Sequence, residues 1–107
     1  VGSSVKHARE ADGPTIAAAR LYVDRRESCV NESGDYLMAL REGAITPDHI
    51  VAEIGEVLRD PAKGRRDDRE ITIFKSLGLG IEDLAAAAHA YAKASARGVG
   101  SRIEFDR

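Results

Sequence analysis

Apolar residues in this chain fall into short runs divided by polar and glycine-containing stretches, and two spacings alternate along it. Leu21-Tyr22-Val23 is a run of strand formers closed by Asp24, and Ile71-Thr72-Ile73-Phe74 is a second, β-branched and aromatic. The small-residue turn Ser76-Leu77-Gly78-Leu79-Gly80 follows the second run. Helical signals lie between and after these strands. Pro14 followed by Thr15 to Ala19 predicts a short helix. Arg25 to Asn31 predicts another, broken by Ser33-Gly34-Asp35, and Tyr36 to Leu40 predicts a turn or two more before Gly43. Thr46 reads as an N-cap and Pro47 as the first residue of a helix carrying Ile50, Ile54, Val57 and Leu58 at helical spacing. Asp60-Pro61 and the charged Gly64 to Asp68 read as a solvated loop.

The strongest helical pattern is Ile81 to Arg97, with Ile81, Leu84, Ala88, Tyr91 and Ala92 on one stripe. Glu82 and Asp83 in its first turn, Lys93 and Arg97 near its end, and Gly98 beyond match the helix dipole and a C-terminal stop. Ile81, Leu84 and Ala88 are expected to face protein. The tail Arg102-Ile103-Glu104-Phe105 alternates like an edge strand. This order predicts an α/β fold with a parallel sheet. Ligands of such sheets bind beyond the carboxyl ends of the strands. Gly2-Ser3-Ser4 and Ser76-Leu77-Gly78 are the two candidate places, the second beside the N-terminus of the long helix with its free N–H groups.

Composition narrows the classes. The 107 residues suit one domain or a piece of one. Val1 comes first and the sole methionine is Met38, so the chain reads as part of a longer product. Much of the hydrophobic share of 43% is alanine, with two Phe, three Tyr and no Trp, so the core is expected to be thin and to lean on neighbouring polypeptide. A net charge of −2 and a pI near 5.9 argue against nucleic acid and anionic membranes. No apolar run approaches the roughly 20 residues of a membrane span. One cysteine, Cys29, points to a reducing, cytoplasmic setting and reads as a small buried hydrophobe. His7, His49 and His89 lack metal-ligand spacing, so no metal is expected. Lys75 reads as an ion-pair partner at the sheet top before a cofactor contact, and Glu82-Asp83 as a dipole-matched first turn.

The stretch Ile71-Thr72-Ile73-Phe74-Lys75-Ser76-Leu77-Gly78-Leu79-Gly80-Ile81-Glu82-Asp83-Leu84 resembles the C-terminal signature of the ornithine cyclodeaminase/mu-crystallin family. Val1-Gly2-Ser3-Ser4 with Arg9-Glu10, Tyr22-Val23-Asp24, Glu32-Ser33-Gly34-Asp35 and Ala52-Glu53-Ile54-Gly55-Glu56-Val57 match in the same order. The resemblance implies a homodimeric enzyme using NAD or NADP, with a Rossmann domain and a second domain for substrate and dimerisation. Residues 1–80 would be the C-terminal part of the Rossmann-like domain, and residues 81–107 the helix and tail leading back to the second domain. The glycine-rich phosphate loop and the family's N-terminal substrate lysine and arginine are absent here, so the missing N-terminal part is the expected partner and this chain alone is expected to be inactive. By the same resemblance Val1 and Ser76 line the nicotinamide side of the cofactor, and Leu77 contacts an amino acid or imino acid substrate. Ser4 falls where cyclodeaminases carry a proton-handling aspartate. A serine hydroxyl is a poor acid or base near neutral pH, which favours reduction of a cyclic imino acid, or amino-acid oxidation, over conversion of ornithine to proline. Cyclodeaminase and a non-catalytic crystallin-like binding protein are the alternatives.

Overall fold

The computed structural model describes residues 2–104 and divides into two compact units, Val1–Leu77 and Gly78–Arg107. The first unit is a three-stranded parallel sheet with helices. Its elements are α1 (Gly13–Ala18), β1 (Arg20–Val23), α2 (Arg26–Glu32), α3 (Gly34–Arg41), β2 (Ile50–Glu53), α4 (Ile54–Arg59) and β3 (Thr72–Lys75). The strand order is β2-β1-β3, with β1 in the centre. Leu21 pairs with Ile50 on one side and Ile73 on the other, and Tyr22 with Ala52 and Phe74.

Alternation along β1 sends Leu21 and Val23 to one face, where they are essentially unexposed and pack with Ile16, Cys29, Tyr36, Ala39, Ile45 and Ile50. Burying each of the larger aliphatic side chains contributes about 1.5–3 kcal/mol. Tyr22 faces the other side, where its hydroxyl donates to the Lys63 carbonyl at 3.0 Å. A cavity of about 210 Å³ there is lined by Tyr22, Ile54, Val57 and Phe74 among others.

Local caps set the helix starts. The Asp12 carboxylate accepts the Thr15 N–H at 2.9 Å ahead of α1. Ser33 caps α3 by accepting the Tyr36 N–H at 3.3 Å. Gly34 opens α3 because the backbone of residues 5–8 crosses it: a Cβ there would lie 1.9 Å from the Ala8 carbonyl oxygen. The helix expected from Thr46 is corrected. Pro47–His49 form one 3-10 turn, and the chain then enters β2. The spacing of Ile50 and Ile54 is ambiguous between helix and strand over so short a stretch, and pairing with β1 decides it by burying Ile50 and Ala52 alternately. Glu56 reaches back to accept the Glu53 N–H at 2.9 Å, which starts α4 at Ile54.

The second unit is one helix, α5 (Gly80–Arg97), and an irregular tail. Glu82 and Asp83 occupy its first turn, and Gly98 ends it in the left-handed region at φ 63°. Two expectations are corrected here. Ile81 and Leu84 are 67% and 64% exposed and Ala88 is also exposed, so the stripe does not face protein. Within its own unit, a lone helix with a short tail has nothing to bury that stripe against. Residues 101–104 are exposed and form no strand, and Phe105 lies outside the described residues.

Candidate functional site at the carboxyl ends of the strands

Two acidic side chains and one lysine organise the top of the sheet. Asp24 follows the last residue of β1 and is 5% exposed. Its Oδ1 accepts the Arg25 N–H at 2.8 Å, while Oδ2 accepts the Ser76 hydroxyl at 3.1 Å and the Leu77 N–H at 2.8 Å. The turn after β3 is thereby tied to the end of β1. Lys75, the last residue of β3, is 5% exposed and points its ammonium into a second group. Asp35 Oδ2 lies 2.8 Å from Lys75 Nζ, close in distance though poorly aligned as a directed hydrogen bond, and Glu10 Oε2 lies at 3.5 Å. The same ammonium donates to the Ser3 carbonyl. Asp35 Oδ1 accepts the N–H groups of Glu10 and Ala11, each at 2.8 Å. Lys75 and Asp35 therefore fasten the Ser3-Ser4 loop and the 9–11 segment to the sheet.

The electrostatics follow from this packing. Burial pushes the Asp35 carboxyl up, but the Lys75 ammonium and the Ala11 and Glu10 N–H groups outweigh it and hold it below the usual carboxylate range. Asp35 also sits in the first turn of α3, where the helix dipole favours a negative charge. The Ser3 backbone, with Lys75 nearby, holds the exposed Glu10 low as well. Burial pushes the Cys29 thiol up to about 11, so it is no thiolate nucleophile at neutral pH. His49 bonds the Ile16 carbonyl oxygen at 2.8 Å, while His7 and His89 are exposed. Among the described residues no cluster of His, Cys, Asp and Glu can hold a metal ion, and no helix is long and apolar enough to cross a membrane.

The residues proposed from sequence separate as follows. Ser76 and Leu77 are half-buried and share the Asp24 carboxylate. Ser4 is exposed on the loop whose Ser3 carbonyl Lys75 holds, so both candidate places meet above β1 and β3. Val1 lies outside the described residues. Sequence reasoning does not single out Asp24 or Asp35, although both sit within matched stretches; the available signal is an aspartate directly after a buried strand and another in a capped first turn. Lys75 is an ion-pair residue as expected. The cavities of about 210 and 350 Å³ in this unit are not lined by Ser4, Ser76 or Leu77. A sheet-top site is walled by loops from several strands, and three strands give only a shallow part of that rim.

Fold and site together define an α/β protein whose buried Asp24, Asp35 and Lys75 gather with Ser76 at the carboxyl ends of parallel strands. Residues 1–98 match the family model of the ornithine cyclodeaminase/mu-crystallin family. A Delta(1)-pyrroline-2-carboxylate reductase of Bacillus cereus is 41% identical over 106 residues, covering 98% of this chain and 33% of that protein. An alanine dehydrogenase of Archaeoglobus fulgidus is 36% identical over 107 residues, covering 100% and 33%. The solved Thermococcus litoralis Delta(1)-pyrroline-2-carboxylate reductase, in complex with NADH and L-proline, superposes with a TM-score of 0.76 at 47% identity over 90% of this chain and 30% of that one. The chain belongs to the ornithine cyclodeaminase/mu-crystallin family, and it spans about a third of the length of these relatives.

Proposed function

We propose that the full-length protein is an oxidoreductase using NAD or NADP that reduces a cyclic imino acid to the cyclic amino acid. In this reading residues 1–80 are the C-terminal part of a Rossmann-like domain, and residues 81–107 lead back to a substrate and dimerisation domain of a homodimer. Ser76, and Val1 by the family resemblance, belong to the nicotinamide side, and Ser4 and Leu77 to the substrate side. The chemistry of the residues present suits the nicotinamide half of the cofactor. Ser76 offers hydroxyl lone pairs for a flat ring bearing a carboxamide, and Leu77 beside it an apolar surface for the substrate. A pyrophosphate fits less well: the sequence has no glycine-rich phosphate loop, and Glu82 and Asp83 already neutralise the positive end of α5.

The observation that carries the choice of reaction is that the ionisable groups described at the sheet top are each held in contacts within the chain. Lys75 is held by Asp35 and Glu10, and Asp24 by the Ser76–Leu77 turn. Ser4 itself is a poor acid or base near neutral pH for the proton transfers of deamination. Reduction of an imine demands less: a reduced nicotinamide, when bound, would supply a hydride for the C=N carbon, and a protonated imine nitrogen already carries its proton. Loss of a general acid or base costs about 10²–10⁴ in rate. With purified full-length protein and NADH or NADPH, reduction of pyrroline- or piperideine-carboxylate is expected to exceed proline formation from ornithine by at least about 100-fold. Proline formation from ornithine without imine reduction would overturn this reading.

A further inference from the structure

The Asp24 carboxylate fixes more than the shape of the turn after β3. A serine hydroxyl has one proton to give and two lone pairs to receive with. The Ser76 proton goes to Asp24 Oδ2, across 52 residues of chain, and the Leu77 N–H goes to the same oxygen. A hydrogen bond to an ionised acceptor is about twice as strong as one between neutral groups, so a ligand carbonyl competes poorly for that proton. With its proton taken and its side chain half-buried rather than closed off, Ser76 offers a ligand lone pairs and no donor. The Leu77 N–H, the neighbouring donor, is consumed in the same way.

We propose that Asp24 is a positioning residue that makes Ser76 a pure hydrogen-bond acceptor, and that the group Ser76 receives is the carboxamide N–H of the nicotinamide ring. This rests on the proposed function above and adds to it the polarity of the contact, and with it the rotation of the carboxamide: its NH₂ toward Ser76 and its carbonyl away.

The test compares NADH with reduced 3-acetylpyridine adenine dinucleotide, which keeps the carbonyl acceptor and lacks the N–H. Kd values are read by fluorescence titration of the full-length wild type, Ser76→Ala, Asp24→Ala and the double variant, with far-ultraviolet circular dichroism to check folding. The wild type is expected to prefer NADH by roughly two- to tenfold, the range of one neutral hydrogen bond. Ser76→Ala and Asp24→Ala are each expected to abolish that preference, the second because it removes the oxygen that takes the Ser76 proton and leaves the hydroxyl free to donate to a carbonyl. The double variant is expected to lose no more than either single one, a non-additivity that two independent structural defects would not give. Should Asp24→Ala fail to fold, Ser76→Ala decides: loss of the preference supports the proposal and retention overturns it. Equal affinity of the wild type for both dinucleotides, or multiplying effects in the double variant, would also overturn it. A loss confined to the KM for the imine would assign the contact to the substrate nitrogen and reject the carboxamide. A wild type that binds neither dinucleotide would instead reject the proposed function itself.

Discussion

Lys75 carries the most electrostatic weight of any side chain at the sheet top. It is buried against Asp35 and binds the Ser3 carbonyl, so one ammonium joins β3, the start of α3 and the Ser3-Ser4 loop. Removing one member of a buried pair leaves an uncompensated charge, and Lys75→Met in the full-length protein is expected to cost about 3–5 kcal/mol. The pH dependence has a definite sign. The folded Asp35 carboxyl lies below its ordinary value of 3.8, so its contribution is fully present above that value and is lost as pH falls through the lower, folded one. Urea midpoints measured from pH 5 to pH 2 are expected to fall for the wild type. In Lys75→Met that fall should be smaller, because the main charge partner is gone. An equal acid response in both proteins would show that the pair does not hold Asp35 low. This pairing is not legible in the sequence. Lys75 can be expected to find some carboxylate, but which one depends on strand register and on how α3 meets the 9–11 segment, neither of which periodicity encodes. Ser76 and Leu77 are legible because they sit inside a specific signature next to a clear strand.

Among the elements, α5 and the strands β1 and β3 are the easiest to read. Their signals are redundant: periodicity, dipole-matched charges and a left-handed glycine agree at α5, and residue type and flanking turns agree at β1 and β3. The stretch from Thr46 to Leu58 reads as one helix because Ile50, Ile54, Val57 and Leu58 satisfy helical spacing over a window too short to exclude a strand. The hydrogen-bonding edge of β1, a non-local partner, turns its first half into β2. The burial of the α5 stripe is the opposite case, a sound local pattern without a described partner. If residues 81–107 lead back to a second domain, Leu84 is covered in the full-length protein. Leu84→Asp would then cost at least about 2 kcal/mol, whereas a solvated position tolerates such changes within about 0.5 kcal/mol. Chemical denaturation of the full-length variant reads the difference, and a neutral result would remove α5 from that interface.

For the molecule as a whole, the sheet order β2-β1-β3 makes β1 and β3 neighbours, which joins Asp24 to the Ser76–Leu77 turn, and Lys75 at the end of β3 brings the Ser3-Ser4 loop beside it. Each place is a separate candidate in the sequence; their meeting is a product of topology. The Thermococcus litoralis reductase was solved with NADH and L-proline bound, and this chain corresponds to about a third of the length of that protein and of the other relatives. The most direct measurement is a crystal structure of the full-length protein with NADH and the cyclic amino acid product. The expected result has the nicotinamide carboxamide NH₂ about 3 Å from Ser76 Oγ, with the Asp24 bond intact and the product between Ser4 and Leu77. A nicotinamide ring seated away from the Ser76–Leu77 turn, with no contact to it, would contradict the placement of the active site at the ends of β1 and β3.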